Sequence, residues 1–246
     1  MSRHLRAEWT KLRTTPGTGW LLLAVVVLTA GVSAAVAAAV TNQPFDVPRT
    51  ALAGVVAGQA VVAVLAVLMI SGEYGTGMIR TTLTAMPRRG GVLAAKAALL
   101  TGLTLAAGTV AVLGSVAAGR LLLPGGQALS LTGGPVLRAA AGSVLYLVLV
   151  GLLSLGVAAA VRDQAAAAGV VLGLLYLLAL MTFLIQDADW QRFFYRLSPM
   201  NAGLTVQATA GLQALPLSPW AGLGVLAAWA AAALTAGGLL LKHRDA

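Results

Sequence analysis

The chain has 246 residues, of which 59% are hydrophobic and 9% charged, with a mean hydropathy of +0.90 and a formal net charge of +9. That balance excludes a soluble globular domain, which needs a much larger charged shell. With no cysteine, and with the two histidines, His4 and His243, at opposite ends, disulfides, thiolate metal sites and haem or redox centres have almost no residues to use.

The charges divide the chain. Residues 50–72, 97–119, 139–161 and 164–186 are uncharged stretches of 23 residues each, and a helix of about that length crosses a hydrocarbon core of about 30 Å. Two longer uncharged stretches, 14–45 and 197–241, leave room for one further span apiece. None shows the alternation of a membrane barrel strand, so backbone groups in lipid must be satisfied within helices. The expectation is an all-α polytopic membrane protein, one transmembrane domain over 1–246, with six spans near 18–40, 51–71, 97–119, 139–161, 164–186 and 219–241.

Before the first span, Leu5, Trp9 and Leu12 recur at i, i+4, i+7, with Arg6, Lys11 and Arg13 beside them. This predicts a short helix lying on the membrane surface over 3–13. A cleaved signal peptide is the rival reading, but the apolar run is long for one, and Glu8 and Trp9 interrupt the basic segment. The next loop, "TNQPFDVPRT", is broken by Pro44 and Pro48. Span two carries Gly54 and Gly58 at GxxxG spacing, read as internal packing or as a dimer seam. It also holds Gln59, the most polar mid-span residue, either a packing hydrogen bond or a substrate contact.

Between spans two and three, "SGEYGTGMIRTTLTAMPRRG" breaks the apolar pattern. Ile79, Leu83 and Met86 recur at i, i+4, i+7, while Glu73, Gly77 and Arg80 fall on another side, so a short amphipathic helix is predicted, limited by Pro87. It serves either to receive a cytoplasmic partner or to lie on anionic headgroups. Further on, "GRLLLPGGQALSLTGGP" is a flexible connection, and "VRDQ" at 161–164 forces spans four and five to be antiparallel neighbours. Gly169 and Gly173 repeat the GxxxG spacing in span five.

In the segment 186–218, Trp190, Phe193, Phe194 and Leu197 share a helical face behind Asp187 and Asp189, predicting an interfacial helix before span six. The stretch that follows, "MNAGLTVQATAGLQALPLSP", either re-enters the membrane against protein or forms a surface loop.

Basic residues sort by side. With the N-terminus inside, Arg3, Arg6, Lys11, Arg13, Arg80, Arg88, Arg89, Lys96, Arg162, Lys242 and Arg244 fall in the cytoplasm, and only Arg49, Arg120, Arg138, Arg192 and Arg196 outside. Both termini and the 72–91 loop are therefore expected to be cytoplasmic, and the positive charge to serve topology, with no nucleic-acid partner. No predicted span has an acid or base near its centre, which disfavours an ion-coupled carrier. No G-x-x-x-x-G-K-[ST] loop and no Ser/His/Asp set or paired intramembrane carboxylates occur, so the chain is not expected to be an enzyme.

The segment "SGEYGTGMIRTTLTAMPRRGGVLAAK" resembles a signature of permease subunits of the type 2 ABC exporter family from high-GC Gram-positive bacteria, and the opening "LRAEWTKLRTTPGTGWLL" is similar to that family's usual start. The resemblance implies a multi-pass protein of the bacterial cell membrane, exporting by alternating access. It implies that Glu73, Tyr74, Gly75, Thr76, Gly77, Met78, Ile79 and Arg80 form the coupling segment that docks on a separate ATPase subunit. Residues 3–13, including Leu5, Trp9, Lys11, Leu12 and Arg13, would be the elbow helix against membrane lipid, and 186–218 the outer helical region. Two permease chains, identical or different, would pair with two ATPase chains. No cofactor is expected in this chain, ATP and Mg being on the partner. The competing class is an anchor or sensor that recruits a cytoplasmic partner through 73–90.

Overall fold

The computed structural model describes residues 16–41, 45–75, 89–126 and 129–243, with Pro16, Glu73, Gly75 and Arg89 described by backbone alone. The elbow residues Leu5, Trp9, Lys11, Leu12 and Arg13, the coupling residues Thr76, Gly77, Met78, Ile79 and Arg80, and the helix predicted over 79–86 lie outside the described residues.

The described chain is helical. In order, α1 spans Pro16–Ala39, α2 Val47–Ala51, α3 Val55–Gly75, α4 Arg89–Leu122, α5 Gly134–Val161 and α6 Gln164–Leu172. A π-helical segment, Gly173–Leu177, leads to α7, Leu178–Leu184; then come α8, Ala188–Leu197, α9, Pro199–Leu204, single 3₁₀ turns at Thr205–Gln207 and Leu212–Ala214, and α10, Pro219–His243. Six stretches are long and apolar enough to cross a membrane: Gly17–Ala39, Val55–Gly72, Gly90–Leu122, Gly134–Val161, Gln164–Leu184 and Pro219–His243. The protein is a polytopic helical membrane protein with six spans. Six crossings bring Pro16, Gly75, Arg89, the Arg162 turn and His243 to one end of the bundle, here the base; residues 45–54, 123–126, 129–133 and 185–218 lie at the other, the crown.

Span three differs from its expected bounds of 97–119. The helix of 34 residues begins at Arg89 and is about 50 Å long, well beyond the hydrocarbon thickness. Lys96, read from sequence as a charge at the membrane boundary, therefore stands two turns inside a helix. Span two starts at Val55, after the separate short helix α2.

Since lipid is as apolar as leucine, hydrophobicity does not drive these helices together; close packing through small residues does. The span windows of α5 and α3 are 67% and 61% buried, against 22% for α1 and for α10, so α5 and α3 form the interior. Gly54 and Gly58 serve internal packing: a Cβ on either would run into Thr29 of α1. Gly169, by contrast, faces open space. α5 and α10 cross through Gly156 and Gly237, where a Cβ on Gly237 would lie 2.9 Å from that of Ala159.

The expected tight turn at 161–164 is present. Arg162 takes the left-handed conformation (φ 66°) and its N–H donates to Ala158 O at 3.0 Å; the Asp163 carboxylate then caps α6, accepting Ala166 N–H at 2.7 Å.

Residues 209–218 lie at or near the surface, whereas Ser198, Pro199, Ala202, Gly203 and Thr205–Ala208 are buried among α5, α7 and α10. Ser198 makes the corner: its N–H closes α8 on Phe194 O at 2.9 Å and its hydroxyl accepts Asn201 N–H at the start of α9.

Candidate functional site

Two places concentrate polar chemistry. The first is the base, where α3 and α4 flank residues 76–88. α3 continues through Gly75, so Glu73, Tyr74 and Gly75 form its last turn. Tyr74 is half-buried against the core, and the Arg162 guanidinium carbon stands 5.5 Å from the centre of its ring, within cation–π range. Arg162 also reaches α10, Nη2 donating to Leu240 O at 3.4 Å. Two turns into α4, Lys96 is 2% exposed and its ammonium donates to Met69 O of α3 at 2.9 Å. A charged donor on a carbonyl is among the stronger hydrogen bonds, so α3 and α4 are fastened to each other just above the segment they flank.

Beside this anchorage, a cleft of about 280 Å³ opens between α3 and α6, lined by Val64, Val67, Leu68, Ala165 and Ala168, with Asp163 and Gln164 at the turn. Among the described residues, no three His, Cys, Asp or Glu side chains come together as metal ligands would.

The second place is a polar core toward the crown. Gln59 and Tyr146 are fully buried; the Tyr146 hydroxyl donates to Gln59 Oε1, and Gln59 Nε2 donates to Met200 Sδ at 3.2 Å. Of the two sequence readings of Gln59, the packing hydrogen bond is the one observed. Tyr176, on the π-helical segment, donates to Val56 O at 2.6 Å and ties span five to α3. From the inserted segment, Gln207 donates to Ser143 Oγ at 3.0 Å and Asn201 to Thr182 Oγ1 at 3.1 Å. Trp229 Nε1 donates to Leu197 O at 3.0 Å and Arg138 Nη2 to Ala208 O at 2.6 Å. The carbonyls freed where the short helices end thus find side-chain partners, as non-helical backbone inside a membrane protein requires.

The predicted aromatic face is formed. Asp187 caps α8, accepting Asp189 and Trp190 N–H at 2.9 and 3.0 Å. Trp190, Phe193 and Leu197 are exposed and Phe194 half-buried, and the rings of Trp190, Phe193 and Phe194 lie 5.7–6.2 Å apart. The opposite face carries the Asp189–Arg192 ion pair at 2.8 Å. An aromatic face of this kind suits the interface between headgroups and tails.

Lys96, Arg162, Tyr146, Tyr176 and Asp46 were not singled out as site residues from sequence. Two of the four tyrosines, Tyr146 and Tyr176, fall inside predicted spans, and that was the available signal. No known protein family matches this chain, and no curated protein does either.

Proposed function

We propose that the chain is the membrane-spanning permease subunit of an ATP-driven exporter resembling the type 2 ABC family, with residues 73–80 docking on a separate ATPase subunit and both termini in the cytoplasm. The observation that carries this reading is the anchorage at the base. A push on a loop does work only if its flanks move as one body, and the Lys96–Met69 bond joins the two flanking helices while Arg162 ties Tyr74 to α10. Glu73, Tyr74 and Gly75, the first of the signature-like residues, form the last turn of α3 beside that anchorage. A second copy of the chain, or a related one, completes the path. The cleft between α3 and α6, apolar along Val64, Val67, Leu68, Ala165 and Ala168 and polar at Asp163 and Gln164, suits an amphipathic cargo. ATP binding must then favour one conformation through contacts that differ between states.

The test is to solubilise tagged chain from its own membrane and assay the purified material for vanadate-sensitive ATPase activity, beside a Glu73→Ala, Arg80→Ala variant. Co-purified ATPase that the variant loses is the expected result. Wild type that brings down no ATPase, under conditions preserving known complexes of this kind, would refute the permease reading and leave the anchor or sensor.

A further inference from the structure

Residues 198–208 fill the crown end of the bundle, held by close packing, with Gly203 against Tyr146 and Ala202 against Gly222, and in addition by hydrogen bonds from polar side chains. Val206 sits against bare Gly142, and Met200, Asn201 and Gln207 reach Gln59, Thr182 and Ser143 by hydrogen bonds. Water can replace such bonds when a segment withdraws, so leaving and re-seating is less costly than for an apolar plug of the same size. The segment is bracketed by two corners: Ser198 followed by Pro199, and Gly211 in the left-handed region at φ 63°. Corners of this kind absorb hinge motion.

One side chain from a distant loop closes the segment's outer end. Asp46, in the loop before α2, accepts Thr209 N–H at 2.6 Å and Ala210 N–H at 2.9 Å on Oδ2, and the Thr209 hydroxyl at 2.6 Å on Oδ1. A carboxylate receiving two adjacent backbone N–H groups and a hydroxyl is a strong, geometry-specific contact. Asp46 and Thr209 are only partly buried, so water is at hand to take over the contact when it opens.

We propose that residues 198–208 are a movable plug in the crown of the bundle and that the Asp46 carboxylate is the latch that holds it shut. Asp46 also caps α2, Oδ1 accepting Arg49 N–H at a long 3.4 Å, so the test must separate capping from latching. Asp46→Asn does so: asparagine caps a helix as well as aspartate, but it replaces one anionic acceptor facing the clasp with a neutral amide. What passes through the opening rests on the permease reading. The latch does not, because its opening is measured without cargo or ATPase, so either idea can fail while the other stands.

The natural absence of cysteine makes the measurement direct. Ser143→Cys places a thiol behind the plug and Ser154→Cys places one deeper in the same helix, both at sites that are 0% exposed. Each is labelled with a hydrophilic maleimide in membranes permeabilised so that both faces are reached. With Asp46 intact, both thiols should react slowly. In Asp46→Asn, the thiol at 143 should react about tenfold faster and the thiol at 154 at its former rate, since labelling follows the population of the open form. Cysteines placed at 46 and 209 and joined by a short bifunctional thiosulfonate should protect position 143 again. Equal rates at 143 with and without the Asn substitution, a rise at 143 and 154 together, or a cross-link that fails to protect 143 would each overturn the latch. Should Asp46→Asn fail to insert, Thr209→Val, which removes only the hydroxyl contact, carries the same comparison with a smaller rise.

Discussion

The buried pair Gln59 and Tyr146 offers the sharpest test of the polar core. Both side chains are fully buried, and each supplies what the other lacks. Gln59→Leu removes the acceptor of the Tyr146 hydroxyl and the donor to Met200, leaving a phenol in an environment without water. An unsatisfied buried group costs about 1–3 kcal/mol, while interhelical hydrogen bonds in membrane proteins average about 0.6 and reach about 1.7 kcal/mol. Because the pair is enclosed by protein on every side, Gln59→Leu should lose about 1.5–2 kcal/mol and Tyr146→Phe about 1–1.5 kcal/mol. The double variant replaces the pair with two apolar groups of similar shape, so its loss should fall short of the sum by about 1 kcal/mol. Reversible unfolding by dodecyl sulfate in lipid bicelles, followed by the fluorescence of the five tryptophans, measures all three. Strict additivity, within the 0.3–0.5 kcal/mol expected of independent sites, would refute the claim that the two residues act as a unit.

Gly237→Leu should disrupt the crossing of α5 and α10, where even a Cβ meets the backbone of Gly156, and lower stability by about 2–3 kcal/mol; Gly169→Leu, at an open site, should not, and the same unfolding assay compares them. Asp187→Ala removes the acceptor of two N–H groups at the start of α8, so amide exchange in 188–192 should speed up, consistent with a cap worth about 1 kcal/mol, while α5 amides keep their protection.

Much of the architecture was legible because lipid permits so few solutions. Spacing between charges set four of the six spans and left room for the other two, and the Trp190, Phe193, Phe194, Leu197 repeat marked α8 within 186–218. Lys96 misled for the same reason that charge spacing works: a lysine is normally the edge of a span. Here its stem runs along apolar surface until the ammonium meets Met69 O on the neighbouring helix, a partner 27 residues away that no window on the sequence includes. The Asp46 clasp joins residues 163 apart and leaves no local pattern. Whether Asn201, Thr205 and Gln207 meet water or protein depends on where α5, α7 and α10 stand, which the local sequence does not carry.

α3 is the element common to both polar regions. It is a single helix from Val55 to Gly75, and from Gln59 to Tyr74 it extends about 22 Å. At its base end it meets Lys96 through Met69 and Arg162 through Tyr74; toward the crown, Val56 and Gln59 meet Tyr176, Tyr146 and Met200. From Gln59 to Met69 the helix has no proline, Gly/Ser pair or π-helical turn and moves as a rod, whereas Ser71 and Gly72 lie between Met69 and Tyr74. Span five has such a turn, at Gly173–Leu177, so a shift begun at its base can be absorbed before it reaches the crown. On the permease reading, a displacement at the Glu73–Gly75 end of α3 would reach the plug through α3 in preference to span five, and the contacts it would disturb there are those of Gln59 with Met200 and Tyr146. Coupling of this kind is reciprocal: whatever free energy a partner at the base spends on loosening those contacts, opening the plug returns to the partner's affinity.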